Sequence, residues 1–110
     1  MPLSGKARIE VYLPDLAKQA YQDLLDSLAD EFTHAFGGCT VNRRLQGHYL
    51  TRRGRRVSDP INLIYLDTPF DLEGNRSRVA LYAERLRQAV FDALEEETVL
   101  IAVLAAHHAE

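Results

Sequence analysis

Tryptophan is absent from this chain of 110 residues, and cysteine and methionine occur once each. A single Cys39 cannot close an internal disulfide, so packing alone must hold the fold, and a reducing compartment, the cytoplasm, is expected. No apolar run approaches the ~20 residues that span a bilayer, so no membrane helix is expected. The opening Met1-Pro2-Leu3-Ser4-Gly5-Lys6 lacks the apolar stretch of a secretory signal. Also missing are a Cys-x-x-Cys pair, an i,i+4 histidine pair, a phosphate-cradling glycine loop and a Gly-x-Ser-x-Gly elbow. Neither a metal nor a cofactor is therefore expected, and no nucleophile stands beside an evident base.

What the chain does have is the composition of an ordinary globular domain, 46% hydrophobic and 26% charged. Its length suits one domain over residues 1–110 and lets roughly two-thirds of the unfolded surface be buried. Net charge is −3, but it is unevenly spread. Residues 43–56 hold six arginines and no acid, a local +6. The rest carries seven basic against sixteen acidic groups, a net −9. One basic finger on an acidic body is the clearest electrostatic feature.

Residues 7–13 alternate, with Ala7, Ile9, Val11 and Leu13 on one side and Arg8, Glu10 and Tyr12 on the other, which predicts a half-buried strand. Pro14 ends it, and Asp15 is the expected N-cap of a helix over 16–36. There Ala17, Tyr21, Leu24, Leu25, Leu28, Phe32 and Ala35 recur at helical spacing, with Asp23, Asp26 and Asp30 opposite. Gly37-Gly38 supplies its stop. Residues 39–52 read as a second strand with an irregularity at Gly47, turning near Gly54 into a third strand centred on 61–66 behind an irregular Asp59-Pro60. Asp67 to Asn75 reads as a loop. A second helix is expected over 75–96, on a stripe of Val79, Tyr82, Leu86, Ala89, Val90 and Ala93, and it ends on Glu95-Glu96-Glu97 against its own dipole.

The last strand, 98–106, is apolar on both sides: Val99, Ile101, Val103 and Ala105 on one, Leu100, Ala102 and Leu104 on the other. Two apolar faces demand two covers. The order β-α-β-β-α-β predicts an α+β, ferredoxin-like two-layer sandwich in which two helices cover one sheet face. A second copy of the chain is the simplest cover for the other, so a homotrimer or homodimer is expected.

The arginines are the leading candidates for function. Arg52, Arg53, Arg55 and Arg56 flank the hairpin tip, and Arg43 and Arg44 lie below them. Guanidinium groups present rigid paired donors to phosphates and carboxylates. Arginine at a hairpin also serves solubility and blocks edge pairing. Nucleic acid is disfavoured as partner, because the chain is acidic overall and no aromatics interleave the patch. His34, His48, His107 and His108 stand at no ligand spacing. Asp59, Asp67, Asp71 and Glu73 could act as bases, though turn-forming explains them as well. Tautomerases use an N-terminal proline that opens the first strand; at Pro2, residues 3–6 intervene before the alternating pattern begins.

Phe36-Gly37-Gly38-Cys39-Thr40-Val41, then Gly47-His48-Tyr49 and Gly54, resembles small bacterial proteins of ferredoxin-like fold and is similar to the PII signalling proteins. In that family a Gly-x-Thr-Val turn opens the second strand, and a ligand-responsive loop joins the second and third. The resemblance implies a sheet-centred trimer and a loop, here Arg52 to Arg56, that touches a partner. It does not bring the nucleotide. Where PII proteins carry a glycine-rich phosphate loop, this chain has Leu94-Glu95-Glu96-Glu97-Thr98. The expected function is an oligomeric PII-like regulatory or binding protein for an anionic small molecule or protein partner. Gly38, Thr40, His48, Tyr49, Arg52, Arg53, Arg55 and Arg56 are its ligand-binding residues. The alternative is a small enzyme of dimeric α/β-barrel type, with His48 or an aspartate as base at the subunit interface; a pocket joining His48, Tyr49 and Asp67 would favour it.

Overall fold

In the computed structural model, which describes residues 3–94 and 100–109, the alternating segment becomes β1 (Leu3–Pro14). Its inward residues Ala7, Ile9, Val11 and Leu13 are buried. The strand begins four residues earlier than the pattern predicts, because residues 3–6 are held by a ladder with the last strand. Residues 3–6 are thus part of the first strand and not a spacer before it, and Pro2 itself lies outside the described residues.

The first helix, α1, spans Gln19–Phe36, not 16–36. Asp15 does not cap it. Lys18 stands at the N-cap without a side-chain bond, while the Asp15 carboxylate accepts a hydrogen bond from Asn62 Nδ2 at 3.1 Å. Tyr21, Leu25, Leu28 and Phe32 form the buried stripe. Gly37 ends the helix as expected, at φ 88°, with its N–H on the Thr33 carbonyl at 2.9 Å.

Next come β2 (Thr40–Leu50) and β3 (Arg56–Asp71), joined by a turn in which Gly54 has φ 77°. A 3-10 turn, Glu73–Asn75, leads into α2 (Arg76–Leu94), and β4 spans Leu100–Ala109. The expected acidic end at 95–97 and the residues 98 and 99 lie outside the described residues. The sheet is antiparallel in the order β2-β3-β1-β4. Both helices pack on one face, where thirteen apolar side chains are buried, so the expected α+β ferredoxin-like sandwich is the fold.

Two irregularities differ from expectation. The bulge in β2 falls at Arg43–Arg44, not at Gly47, which pairs in register with Asp59. Arg44 adopts φ 59°, a left-handed conformation that costs a non-glycine residue roughly 1–2 kcal/mol. The compensation comes from Asn62, wholly buried, whose Oδ1 accepts the Arg44 N–H at 2.9 Å while its Nδ2 reaches Asp15. The second lies in β3. Asp67 to Asp71 belong to the strand, not to a loop, and between Asp67 and Asp71 four steps on β3 oppose the two from Arg8 to Lys6 on β1. Pro69 sits in this bulge, where no ladder donor is demanded. Asp59-Pro60 is likewise continuous strand, opposite Gly47 and Gln46.

Asn62→Ala leaves the Arg44 N–H and Asp15 without their partner. We expect a loss of about 2–3 kcal/mol and a melting temperature lower by roughly 10 °C or more, read by calorimetry. Tyr21 makes a second, subtler prediction. Its hydroxyl is buried with no hydrogen-bond partner among the described residues, and burial, opposed in part by Asn62, pushes its pKa up to about 12. The unfolded chain therefore loses this proton first, and stability falls as pH rises from about 10 to 12. Tyr21→Phe should remove that share of the alkaline loss, at little or no cost at neutral pH. Melting curves across that range read it directly; an equal alkaline slope in the variant would contradict it.

Candidate functional site

The sheet has one covered face and one open face. Direct cross-strand pairing assigns Arg8, Glu10 and Tyr12 of β1, Ile61, Leu63, Tyr65 and Asp67 of β3, and Leu100, Ala102 and Leu104 of β4 to the open side. Leu100 and Leu104 are 59% and 37% exposed. At its centre the Arg8 guanidinium holds Asp67 with two bonds, Nε to Oδ1 at 2.6 Å and Nη2 to Oδ2 at 3.0 Å. The same group lies 4.7 Å over the Tyr65 ring. That bonding raises the pKa of Arg8 above its ordinary value, and Tyr12 is raised by donating to Glu10 Oε1 at 2.7 Å. These charges are already satisfied within the chain. The Arg8–Asp67 pair can be covered without separating its charges, while among the described residues Glu10 keeps only the neutral Tyr12 donor.

Beyond the Pro14–Ile61 pair, β1 no longer accompanies β3. Residues 46–60 continue as a two-stranded arm, which among the described side chains carries no residue of the buried core. It gives the molecule a 46 Å long axis and a radius of gyration of 15.2 Å, against about 13 Å for a compact domain of this length. Leu50 on the arm is 70% exposed. A lone hairpin is only marginally stable in water, so such an arm calls for a neighbour.

Its tip is built on Thr51. The Gly54 N–H donates to the Thr51 carbonyl at 2.9 Å, the Thr51 N–H to the Arg55 carbonyl at 2.8 Å, and the Arg55 N–H to Thr51 Oγ1 at 3.1 Å. Arg52, Arg53, Arg55 and Arg56 are all exposed around this turn. Among the described residues no carboxylate pairs with any of the four. Arg43 and Arg44 lie at the base. Arg43 approaches Asp26 of α1 at 4.0 Å, and the Arg44 N–H is fixed by Asn62.

The eight residues expected to bind ligand fall into two groups. Gly38 and Thr40 lie at the turn from α1 into β2, Thr40 opposite Tyr65 on the open face. His48, Tyr49 and the four arginines lie on the arm. Ten residue steps along β2 separate Thr40 from Leu50, about 33 Å. One chain does not bring the groups together. A single small ligand can touch both only across a subunit boundary.

Sequence reasoning missed Ser58. It faces His48 across the arm, with Oγ 2.6 Å from Nδ1, and Arg56 Nη2 reaches the same nitrogen at 3.3 Å. A serine beside a histidine is the first half of a nucleophilic site. Here both are exposed. Nor does Asp67 join them: it lies nine residues along β3 from Ser58, roughly 30 Å away, and is gripped by Arg8. This contact is a cross-strand pair that ties the arm together. Among the described residues there is no cluster fit for a metal ion, and no helix long and apolar enough to cross a membrane.

Element order and sheet topology together define a ferredoxin-like two-layer α+β sandwich. Among solved structures the chain is similar to CutA1 from Oryza sativa, with a TM-score of 0.61 over 98% of this chain and 85% of that one. Sequence identity is 15%, so the likeness is one of fold. No protein-family model and no curated protein matches the chain.

Proposed function

We propose that the protein is an oligomeric PII-like binding module, a homotrimer or homodimer, in which the arginine hairpin engages an anionic small molecule or an acidic protein partner. The observation that carries this reading is the tip itself: four exposed guanidinium groups, mutually repelling, on an arm that extends away from the core. Such an arrangement is costly unless an anion relieves it. The exposed Leu100 and Leu104 on the open face, the free outer edges of β2 and β4 and the unsupported arm all favour self-association. In an assembly of that kind the arm of one subunit can approach Gly38 and Thr40 of its neighbour, which reunites the two groups of candidate residues.

The test is a thermal-shift screen with inorganic phosphate, tripolyphosphate, citrate and adenine nucleotides, followed by a pull-down with the arm intact or neutralised. At least one polyanion should raise the melting temperature by several degrees, and raised salt should erase the rise. If none of them does and no protein is captured through the arm, the reading is lost.

A further inference from the structure

On the covered side of the sheet, far from the arm, a cavity of about 150 Å³ opens between the end of α1, the first turns of α2 and the outer part of β3. Its walls are Ile9, Phe36, Phe70, Val79 and Tyr82. The one polar group at its floor, the Thr68 hydroxyl, is already occupied, accepting the Phe70 N–H at 3.2 Å and facing the Phe70 carbonyl at 3.5 Å. Phe36 and Tyr82 brace each other edge to face at 5.4 Å, and the Tyr82 hydroxyl is turned outward to Glu31 at 3.4 Å. Space of this size with apolar walls is matched in volume to a benzene-sized guest.

At the rim stands Arg78. Its guanidinium lies 5.5 Å over the Phe70 ring, and among the described residues no carboxylate pairs with it. An apolar slot beside one forked cation selects for shape and charge together. A flat carboxylate can take two parallel bonds from the fork while its hydrocarbon part enters the slot. A phosphate dianion would gain from the cation but lose against the apolar walls. We propose that this cavity is a binding site for a small aromatic or branched aliphatic carboxylate, with the ring or branch among Phe36, Val79 and Tyr82 and the carboxylate on Arg78. The site lies within one chain and is independent of the arginine hairpin.

Benzoate is the probe, and benzamide, its neutral counterpart of the same shape, is the control. A ligand of this size can reach a Kd of about 1 mM. Titration followed by amide NMR shifts is expected to move residues around 36, 70 and 78–82, with benzamide at least tenfold weaker. Arg78 is exposed, so Arg78→Gln should stay folded and bind benzoate at least tenfold more weakly. Neutralising Arg52, Arg53, Arg55 and Arg56 should change nothing here. The proposal is overturned if benzamide matches benzoate, if the shifts gather on the hairpin, or if no localised shift develops by roughly 10 mM benzoate. A failure of this titration leaves the hairpin reading standing, and the reverse is also true.

Discussion

Replacing Leu100 and Leu104 by aspartate is expected to turn an oligomer into single folded chains. Both residues sit on β4 opposite Tyr12 and Arg8, on the open side of the sheet, so neither contributes to the buried core. Covering a leucine recovers roughly 1.5–3 kcal/mol. With Leu100 59% and Leu104 37% exposed, the pair offers about one leucine's worth, ~2 kcal/mol per subunit, so a dimer that covers both copies loses about 4 kcal/mol, some thousandfold in association, before the cost of the buried carboxylates is added. Sedimentation velocity at micromolar concentration should show a homotrimer or homodimer for the natural chain and a monomer for the double variant, with far-ultraviolet circular dichroism unchanged. A natural chain that already sediments as a well-behaved monomer would sink this expectation, and with it the shared cleft.

The second large effect belongs to the hairpin. Arg52, Arg53, Arg55 and Arg56 replaced together by serine should abolish recognition of tripolyphosphate, a loss of a hundredfold or more. Exposed ion pairs contribute up to about 1 kcal/mol each, and four acting together on one polyanion approach 4 kcal/mol. The melting temperature of the unliganded variant should not fall, since the removed groups bear no part of the core and repel one another. Binding of the natural chain should weaken steadily with added salt, while the residual binding of the variant should not. Equal affinity in the two proteins would remove the arm from the site.

Much of this architecture was legible because it is local. The period-two pattern of residues 7–13, the helical stripe through Tyr21, Leu25, Leu28 and Phe32, and the glycine stop at Gly37 each depend on neighbours within a few positions. What escaped depends on distant partners. Asp67 looks like the start of a loop until Arg8, fifty-nine residues away, pairs with it. Leu3 to Lys6 lack an alternating pattern and become strand because the end of β4, and for Lys6 also Asp71 of β3, lies beside them. The bulge at Arg43–Arg44 has no glycine to announce it; Asn62, eighteen residues on from Arg44, supplies the bond that makes it tolerable. Arginines at the tip could be found from composition alone. That the arm holds them some 33 Å from Thr40 could not, because a strand's length is set by its partners.

Asn62, bonded to both Arg44 and Asp15, acts as a rivet. It fastens the strand pair to the body where the body ends, so everything beyond it can be lengthened, shortened or re-lettered while the domain beneath folds as before. On the proposed reading the arm is a detachable claw on a fixed handle. Chains with this body and different claws would grip different cargo, and transplanting residues 46–60 between them should carry the preference along.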